Sequence, residues 1–289
     1  KSQLYRNFEQ VLRSYDDIFD FLEWFKSQVD IYLELNSNSY HVNTNTLPRS
    51  VERPLQYLNS CSTHSEVLSL SIYNSADITK EGQIKSYYDL AAILVMRMEL
   101  AGYSSASKRD ALYNTAKSIR ETDNVNKIRD VLKESIRSNA PQDPEIIEHL
   151  KANDLNIQGS WNFRTMLKLV SIEESRRRDR SKLPIEELEV EHIAPRNTFG
   201  KTNKYFEWKG RLNEDEYDDR KDKLGNLTLL LPEDHSSLNE SSFDDKCNTY
   251  VNSDISITAE IADNDIWGDE KIEDRTEVLA KEIANRWSI

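Results

Sequence analysis

Glu191-His192-Ile193-Ala194-Pro195, and further along Leu224-Gly225-Asn226-Leu227-Thr228-Leu229-Leu230 with His235 and Asn239 behind it, decide how this chain is read. Leu188 to Ile193 has the make-up of a short strand, and it stops at a proline, which has no N–H to give to a ladder. Leu227 to Leu231 is an apolar, β-compatible run introduced by Gly225 and closed by Pro232. From His235 to Val251 the spacing predicts one helix. Phe243, Cys247, Tyr250 and Val251 fall at helical intervals as a buried stripe, and His235 and Asn239 share a face one turn apart. The order is strand, strand, helix.

The residue types in this order suit phosphodiester hydrolysis. The attacking water must lose a proton, and histidine titrates near neutrality. The phosphate gathers negative charge, which a divalent cation can neutralise. Carboxylates suit Mg²⁺, and an imidazole among them also admits Mn²⁺, Zn²⁺ or Ni²⁺. Glu191 and His192 are neighbours, however, and neighbours in a regular strand point to opposite faces. For both to reach one cleft, the strand must be distorted or end there. Asn226 beside Gly225 also suits a turn, a role compatible with orienting a base.

Upstream, residues 1–175 read as mostly helical. Phe8, Val11, Leu12, Tyr15, Ile18, Phe19 and Leu22 repeat at helical spacing, and a break rich in Asn, Ser and Thr follows at Asn36 to Pro48. Helical patterns then cover Val51–Leu58, Ser65–Tyr73, Ile84–Ala101, Lys108–Arg120, Val125–Ser138, Pro144–Asn153 and Trp161–Arg177. Asp143-Pro144 is a helix start with proline in the first turn. Glu214 to Asp222 reads as a charged loop or short helix. The domains expected are a helical one over 1–175 and a second over 176–289.

With 289 residues the chain has room for two domains. No apolar run is long enough to span a membrane and no signal-peptide pattern opens it, so a cytoplasmic location is expected. Cys61 and Cys247 stand alone, which excludes a four-cysteine zinc site. No P-loop pattern is present. The net charge of −13 opposes general nucleic-acid binding, so any contact with phosphates needs a local basic strip. Two strips are available. Arg176, Arg177, Arg178, Arg180 and Lys182 form one. Arg196, Lys201, Lys204, Lys209 and Arg211 form the other, with Tyr205, Phe206 and Trp208 interleaved as stacking candidates. Lys246 is either a surface lysine or a further phosphate contact.

Val190 to Ser253 resembles the His-Asn-His (HNH) nuclease domain at the C-terminal end of GmrSD-like, modification-dependent restriction enzymes and related, SspE-like phage-defence proteins. The matching pieces are Glu191-His192-Ile193-x-Pro195, the Leu224-Gly225-Asn226-Leu227-x-Leu229-Leu230 block, Leu238, Phe243 and Lys246. Trp267, Ile272, Arg275, Leu279, Ile283 and Trp287 fit the ending of such proteins, and Leu167-x-x-Val170-x-Ile172-Glu173 fits the segment before the motif. The resemblance implies a mainly α protein: a helical N-terminal domain plus a C-terminal ββα-metal nuclease domain. It implies a metal-dependent DNA endonuclease or nickase acting on foreign, possibly modified, DNA. His192 would be the general base. Asn226 would hold its imidazole directly or through the loop backbone. Glu191, His235 and Asn239 would be ligands of one divalent ion, Mg²⁺ or Mn²⁺. Pro195-Arg196 replaces the usual Pro-Gln. Relatives also carry a nucleotide-binding, ParB-like domain, whose signature is absent here, so such a domain or a partner subunit is expected outside this chain. The competing reading is a nuclease-derived DNA-binding or regulatory subunit, active only with such a partner.

Overall fold

Apolar residues at helical spacing build most of the structure, a computed structural model that describes residues 9–15, 17–35, 47–122, 124–155, 160–177, 182–199, 208, 211–238 and 241–288. The helices that lead up to the strand pair include α1 (Ile18–Leu35), α2 (Glu52–Cys61), α3 (Ser65–Ser75), α4 (Glu81–Leu100), α5 (Ser105–Arg120), α6 (Ile128–Asn139), α7 (Asp143–Ala152) and α8 (Ser160–Arg176). Helix α4 is the centre. From Tyr87 to Leu100 only Asp89 and Ile93 are less than fully buried, as expected of a helix that is apolar nearly all round. Helices α2, α6 and α7 pack on it. Local signals set the ends. The Ser104 hydroxyl accepts from the Ser107 N–H at 3.1 Å to open α5, and Pro144 sits in the first turn of α7.

Strands β1 (Glu189–His192) and β2 (Leu227–Leu230) form an antiparallel pair, with Glu189 opposite Leu230 and His192 opposite Leu227. Between them lies α9 (Glu214–Tyr217), so the charged stretch at 214–222 is in part a short helix. After β2 come α10 (Pro232–Leu238), α11 (Phe243–Tyr250), α12 (Ser256–Ala259) and α13 (Asp269–Arg286). The single helix expected over 235–251 is therefore two. Ser242 starts the second by accepting from the Asp245 N–H at 3.1 Å. The stripe is also shorter than expected: Phe243 and Tyr250 are buried, but Val251 is 63% exposed.

All four residues of β2 are buried, and the pleat divides them between two apolar clusters. Leu227 and Leu229 join the helical bundle, together with Leu183, Leu188, Leu279 and Trp287. Leu230 joins Ile193, Trp208, Tyr217, Phe243, Tyr250 and Trp267. The first cluster runs without a break across residue 175, the expected domain boundary. The sheet is thereby clamped between the bundle and the C-terminal helices.

Helix α13 closes over the turn before β2. The Gly225 N–H donates to Thr276 Oγ1 at 2.9 Å. A Cβ at Gly225 would lie 2.0 Å from the Ile272 carbonyl oxygen and 2.7 Å from the Thr276 nitrogen, both backbone atoms. Only glycine permits that approach. Gly225→Ala is expected to destabilise the protein by about 1–3 kcal/mol or more, the usual range for overpacking. Urea unfolding measures it, and an unchanged midpoint would show that α13 does not press on this turn.

Candidate functional site

Regular pleating of β1 places Glu189 and Glu191 on one face and His192 on the other. On the first face both carboxylates meet His235 of α10. Glu191 Oε2 is 3.2 Å from His235 Nε2, and Glu189 Oε2 is 2.6 Å from His235 Nδ1. Lys246 of α11 binds the other oxygen of Glu191 and also donates to the His192 carbonyl at 2.6 Å. Glu191 is 4% exposed and Lys246 1%. Burial works to raise the Glu191 carboxyl, but the hydrogen bond from His235 and the charge of Lys246 outweigh it and hold the group below the usual range. Hydrogen bonding to Glu191, against partial burial, holds His235 above the usual histidine range. Burial pushes Lys246 below the usual lysine range, opposed by Glu191.

On the other face His192 Nε2 lies 2.8 Å from Asp222 Oδ1, and Arg196 binds Asp222 Oδ2 at 3.1 Å. Burial favours a neutral Asp222, yet the hydrogen bond and charge of His192, followed by Arg196, keep its carboxyl below the usual range. An ionised carboxylate only accepts, so Nε2 carries the hydrogen. In the neutral tautomer with hydrogen on Nε2 the lone pair would be on Nδ1, which makes no hydrogen bond among the described residues.

Asn226 does not touch the His192 ring. Fully buried, it uses every donor and acceptor it has on the surrounding loops. Oδ1 accepts from the Ala194 N–H at 2.9 Å and from Trp267 Nε1 at 3.3 Å. Nδ2 donates to the carbonyls of Ala194 at 3.0 Å and Lys221 at 2.9 Å. Its own carbonyl accepts from the Ile193 N–H at 2.9 Å. The Tyr217 hydroxyl adds bonds to the carbonyls of Ala194 at 2.8 Å and Pro195 at 3.0 Å. The loop that leaves β1 is thus fixed from both sides.

The donor set of Glu191 and His235 suits a divalent ion in one respect. With ligand bonds of about 2.1 Å, two donors 3.2 Å apart subtend roughly 100° at a shared cation. Glu189 on Nδ1 is also the kind of carboxylate that orients a ligating imidazole. Among the described residues, no group of three or more His, Cys, Asp or Glu side chains is arranged to hold a metal. Asn239, the further expected ligand, lies outside the described residues, and Lys246 occupies one Glu191 oxygen.

The basic strips fare unevenly. Arg176 binds Glu282 through two nitrogens, at 2.8 and 2.9 Å, and Glu260 at 2.6 Å. Arg177 meets Glu173 at 3.3 Å and the Asp254 carbonyl at 3.3 Å. Arg178, Lys201, Lys204, Lys209, Tyr205 and Phe206 lie outside the described residues. Arg196 and Arg211 are half-buried. Two expectations need correction. Lys246 is no surface lysine: it is 1% exposed, with its ammonium buried on Glu191 and the His192 carbonyl. Trp208 is no stacking platform: it is 2% exposed, packs edge-on against Phe243 at 5.8 Å between ring centres, and donates to the Ser241 carbonyl. Sequence reasoning also missed Glu189 and Asp222. Glu189 could have been found by the two-residue period from Glu191. Asp222, in Lys221-Asp222-Lys223, carries no such signal.

The family described as GmrSD restriction endonucleases, C-terminal domain, matches residues 103–282. That span is more than half of the chain and contains both faces of the site. The chain belongs to this family, and membership implies a nuclease. No curated protein matches it. Among the described residues no helix is long and apolar enough to cross a membrane.

The His235 shift has a sign. A histidine raised in the folded state adds stability that is full below its unfolded value, near 6.5, and fades as pH rises through the folded value. Glu191 acts oppositely: its contribution fades as pH falls below about the ordinary 4.5. Thermal stability in the presence of a chelator is expected to decline from pH 6.5 upward in the wild type. In His235→Gln that decline should flatten. Equal pH slopes in the two proteins would show that His235 does not hold its proton between Glu189 and Glu191.

Proposed function

We propose that this chain is an HNH-type endonuclease that hydrolyses phosphodiester bonds of foreign, possibly modified, DNA with one divalent cation, Mg²⁺ or Mn²⁺, in anti-phage defence in the cytoplasm. The observation that carries the reading is the pair of carboxylate-oriented histidines on opposite faces of β1, Glu191 with His235 and Asp222 with His192. The strand pair followed by α10 and α11 serves as the ββα-metal unit in this reading.

In it, His192 takes the proton of the attacking water on Nδ1. Asp222 holds the hydrogen on Nε2, fixes the ring and stabilises the imidazolium that forms. Asn226 positions the base at one remove, by fixing the backbone from Ile193 to Ala194. Glu191 and His235 are the residues that would hold the cation. A cation bound there neutralises charge on the phosphate. Lys246 sets the orientation of Glu191 and ties it to the end of β1. Arg196, whose side chain is 35% exposed, would meet a phosphate while retaining Asp222. Arg177, Arg211 and, outside the described residues, Asn239, Arg178, Lys201, Lys204 and Lys209 remain candidates for contacts with cation or DNA.

Plasmid cleavage with Mg²⁺ or Mn²⁺ tests the reading. His192→Ala is expected to lower the rate by about 10²–10⁴-fold, the worth of a general base, with the thermal unfolding curve retained. Asp222→Asn should also slow cleavage. Glu191→Ala should weaken metal binding, and additional Mn²⁺ should restore part of the activity. A His192→Ala protein that cuts at the wild-type rate would overturn the assignment.

A further inference from the structure

A cavity of about 650 Å³ opens where the helical bundle meets the C-terminal end of α13, and none of Glu191, His192, Asp222 or His235 lines it. Its walls carry five cations: Arg53 from α2, Lys85 from α4, Arg177 and Lys182 from the segment after α8, and Arg286 from the end of α13. Two carboxylates face them, and each already has a partner. Asp89 pairs with Lys85 at 2.5 Å and Glu174 with Arg53 at 3.1 Å. Lys182 and Arg286 make no ion pair among the described residues. The Arg286 guanidinium rests on the Trp287 ring, 4.7 Å from its centre, which holds it in place at the wall. Desolvation within the cleft, and then the Arg53 charge, hold Lys182 below the usual lysine range, so an anion placed there would relieve it.

Such a concentration of positive charge needs a reason in a chain of net charge −13. Asp89, Glu174 and Glu173 compensate Lys85, Arg53 and Arg177, which leaves Lys182 and Arg286 as two uncompensated cations beside one hollow, an arrangement that an anion of high charge density would stabilise. A single carboxylate supplies one charge. A phosphate group supplies more, and its oxygens match the guanidinium fork. The volume lies within the range of small-ligand sites and accommodates a ligand of nucleotide size.

We propose that this cavity is a binding site for a phosphate-bearing ligand, held by Lys182 and Arg286 and separate from the strand-pair site. The proposal stands whether or not the nuclease reading does. The shared chemistry is a phosphate monoester or polyphosphate, and its source is a free small molecule or the 5′ end of a nucleic acid.

Titration calorimetry on the full chain tests it, with inorganic tripolyphosphate, ATP and adenosine as probes. Tripolyphosphate and ATP are expected to bind and adenosine not to. The Lys182→Glu, Arg286→Glu double variant should lose roughly ten-fold or more in affinity, as when charge-assisted hydrogen bonds are removed. Lys182→Arg with Arg286→Lys, which keeps the charges, should retain measurable binding. Both variants alter surface or half-buried groups, and thermal unfolding checks that they fold. A 5′-phosphorylated oligonucleotide that displaces tripolyphosphate better than its 5′-hydroxyl counterpart would assign the phosphate to a nucleic-acid end. Equal displacement by the two would assign it to a free ligand. Absence of tripolyphosphate and ATP binding, binding of adenosine equal to ATP, or full affinity in the charge-reversed variant would overturn the proposal.

Discussion

The buried side chain of Asn226 is the interaction on which the architecture of the site depends. One amide bonds both backbone groups of Ala194, the Lys221 carbonyl and the Trp267 indole, so three separate segments share a single hub. A buried amide with all its hydrogen bonds made contributes modestly, but leaving those partners unpaired costs about 1–3 kcal/mol for each orphaned group. The hub is therefore discriminating: it tolerates one arrangement of the loop after β1. Arg275 extends it from α13. Its guanidinium donates to the carbonyls of Gly225 and Leu227 at 2.8 Å and of Ile257 at 2.7 Å. Burial lowers its pKa to about 10, still high enough for the charge to persist at neutral pH and strengthen those bonds.

Charge in this protein is best read by location. Several cations are turned inward. Arg97 binds the carbonyls of Pro141 and Trp287 as well as Asp143. Lys108 meets Glu99, Arg176 meets Glu260 and Glu282, and Lys246 meets Glu191. Each of these is engaged within the fold and offers little to a phosphate outside. Attraction to a polyanion must come from the few cations left at rims and in hollows, where low-dielectric walls amplify their field.

Much of the fold was legible because helical periodicity is strong in α2 to α8, and because Gly225, Pro195 and Pro232 punctuate the two strands. The helix after β2 was misread as continuous for a physical reason. Phe243, Cys247 and Tyr250 keep a helical phase that can be extended backwards on paper, and that phase masks the Ser242-x-x-Asp245 cap signature, which the Asp245 N–H to Ser242 hydroxyl bond makes plain. At the site, Glu191, His192, Asn226 and His235 could be picked out by residue type. Of their partners, Glu189 follows from the strand period, but the pairings of Asp222 and Lys246 do not. Asp222 reaches His192 only because Asn226 and Tyr217 draw the two loops together, and Lys246 reaches Glu191 across the packing of α11 on the sheet. Burial is a tertiary property. Nothing in the local sequence of Lys246 or Trp208 marks them as interior, and both looked like candidates for contact with a ligand.

The pleat of β1 resolves the apparent conflict of having adjacent residues in one chemical unit. A distorted strand seemed necessary for Glu191 and His192 to act together. The strand instead keeps its regular register to the end, and the two side chains belong to separate clusters joined through Lys246, which touches the carboxylate of one and the carbonyl of the other. In the proposed reading this gives a division of labour by face. The Glu189–His235–Glu191 side gathers negative charge around one imidazole, the electrostatic setting for a cation. The Asp222–His192 side pins an imidazole so that its unprotonated nitrogen is directed away from its carboxylate partner, the setting for a base. A chain with only one of these faces could bind an ion or move a proton. Alternation along four residues of strand places Glu191 and His192 on opposite faces of one peptide unit, and Asn226 fixes the loop that follows.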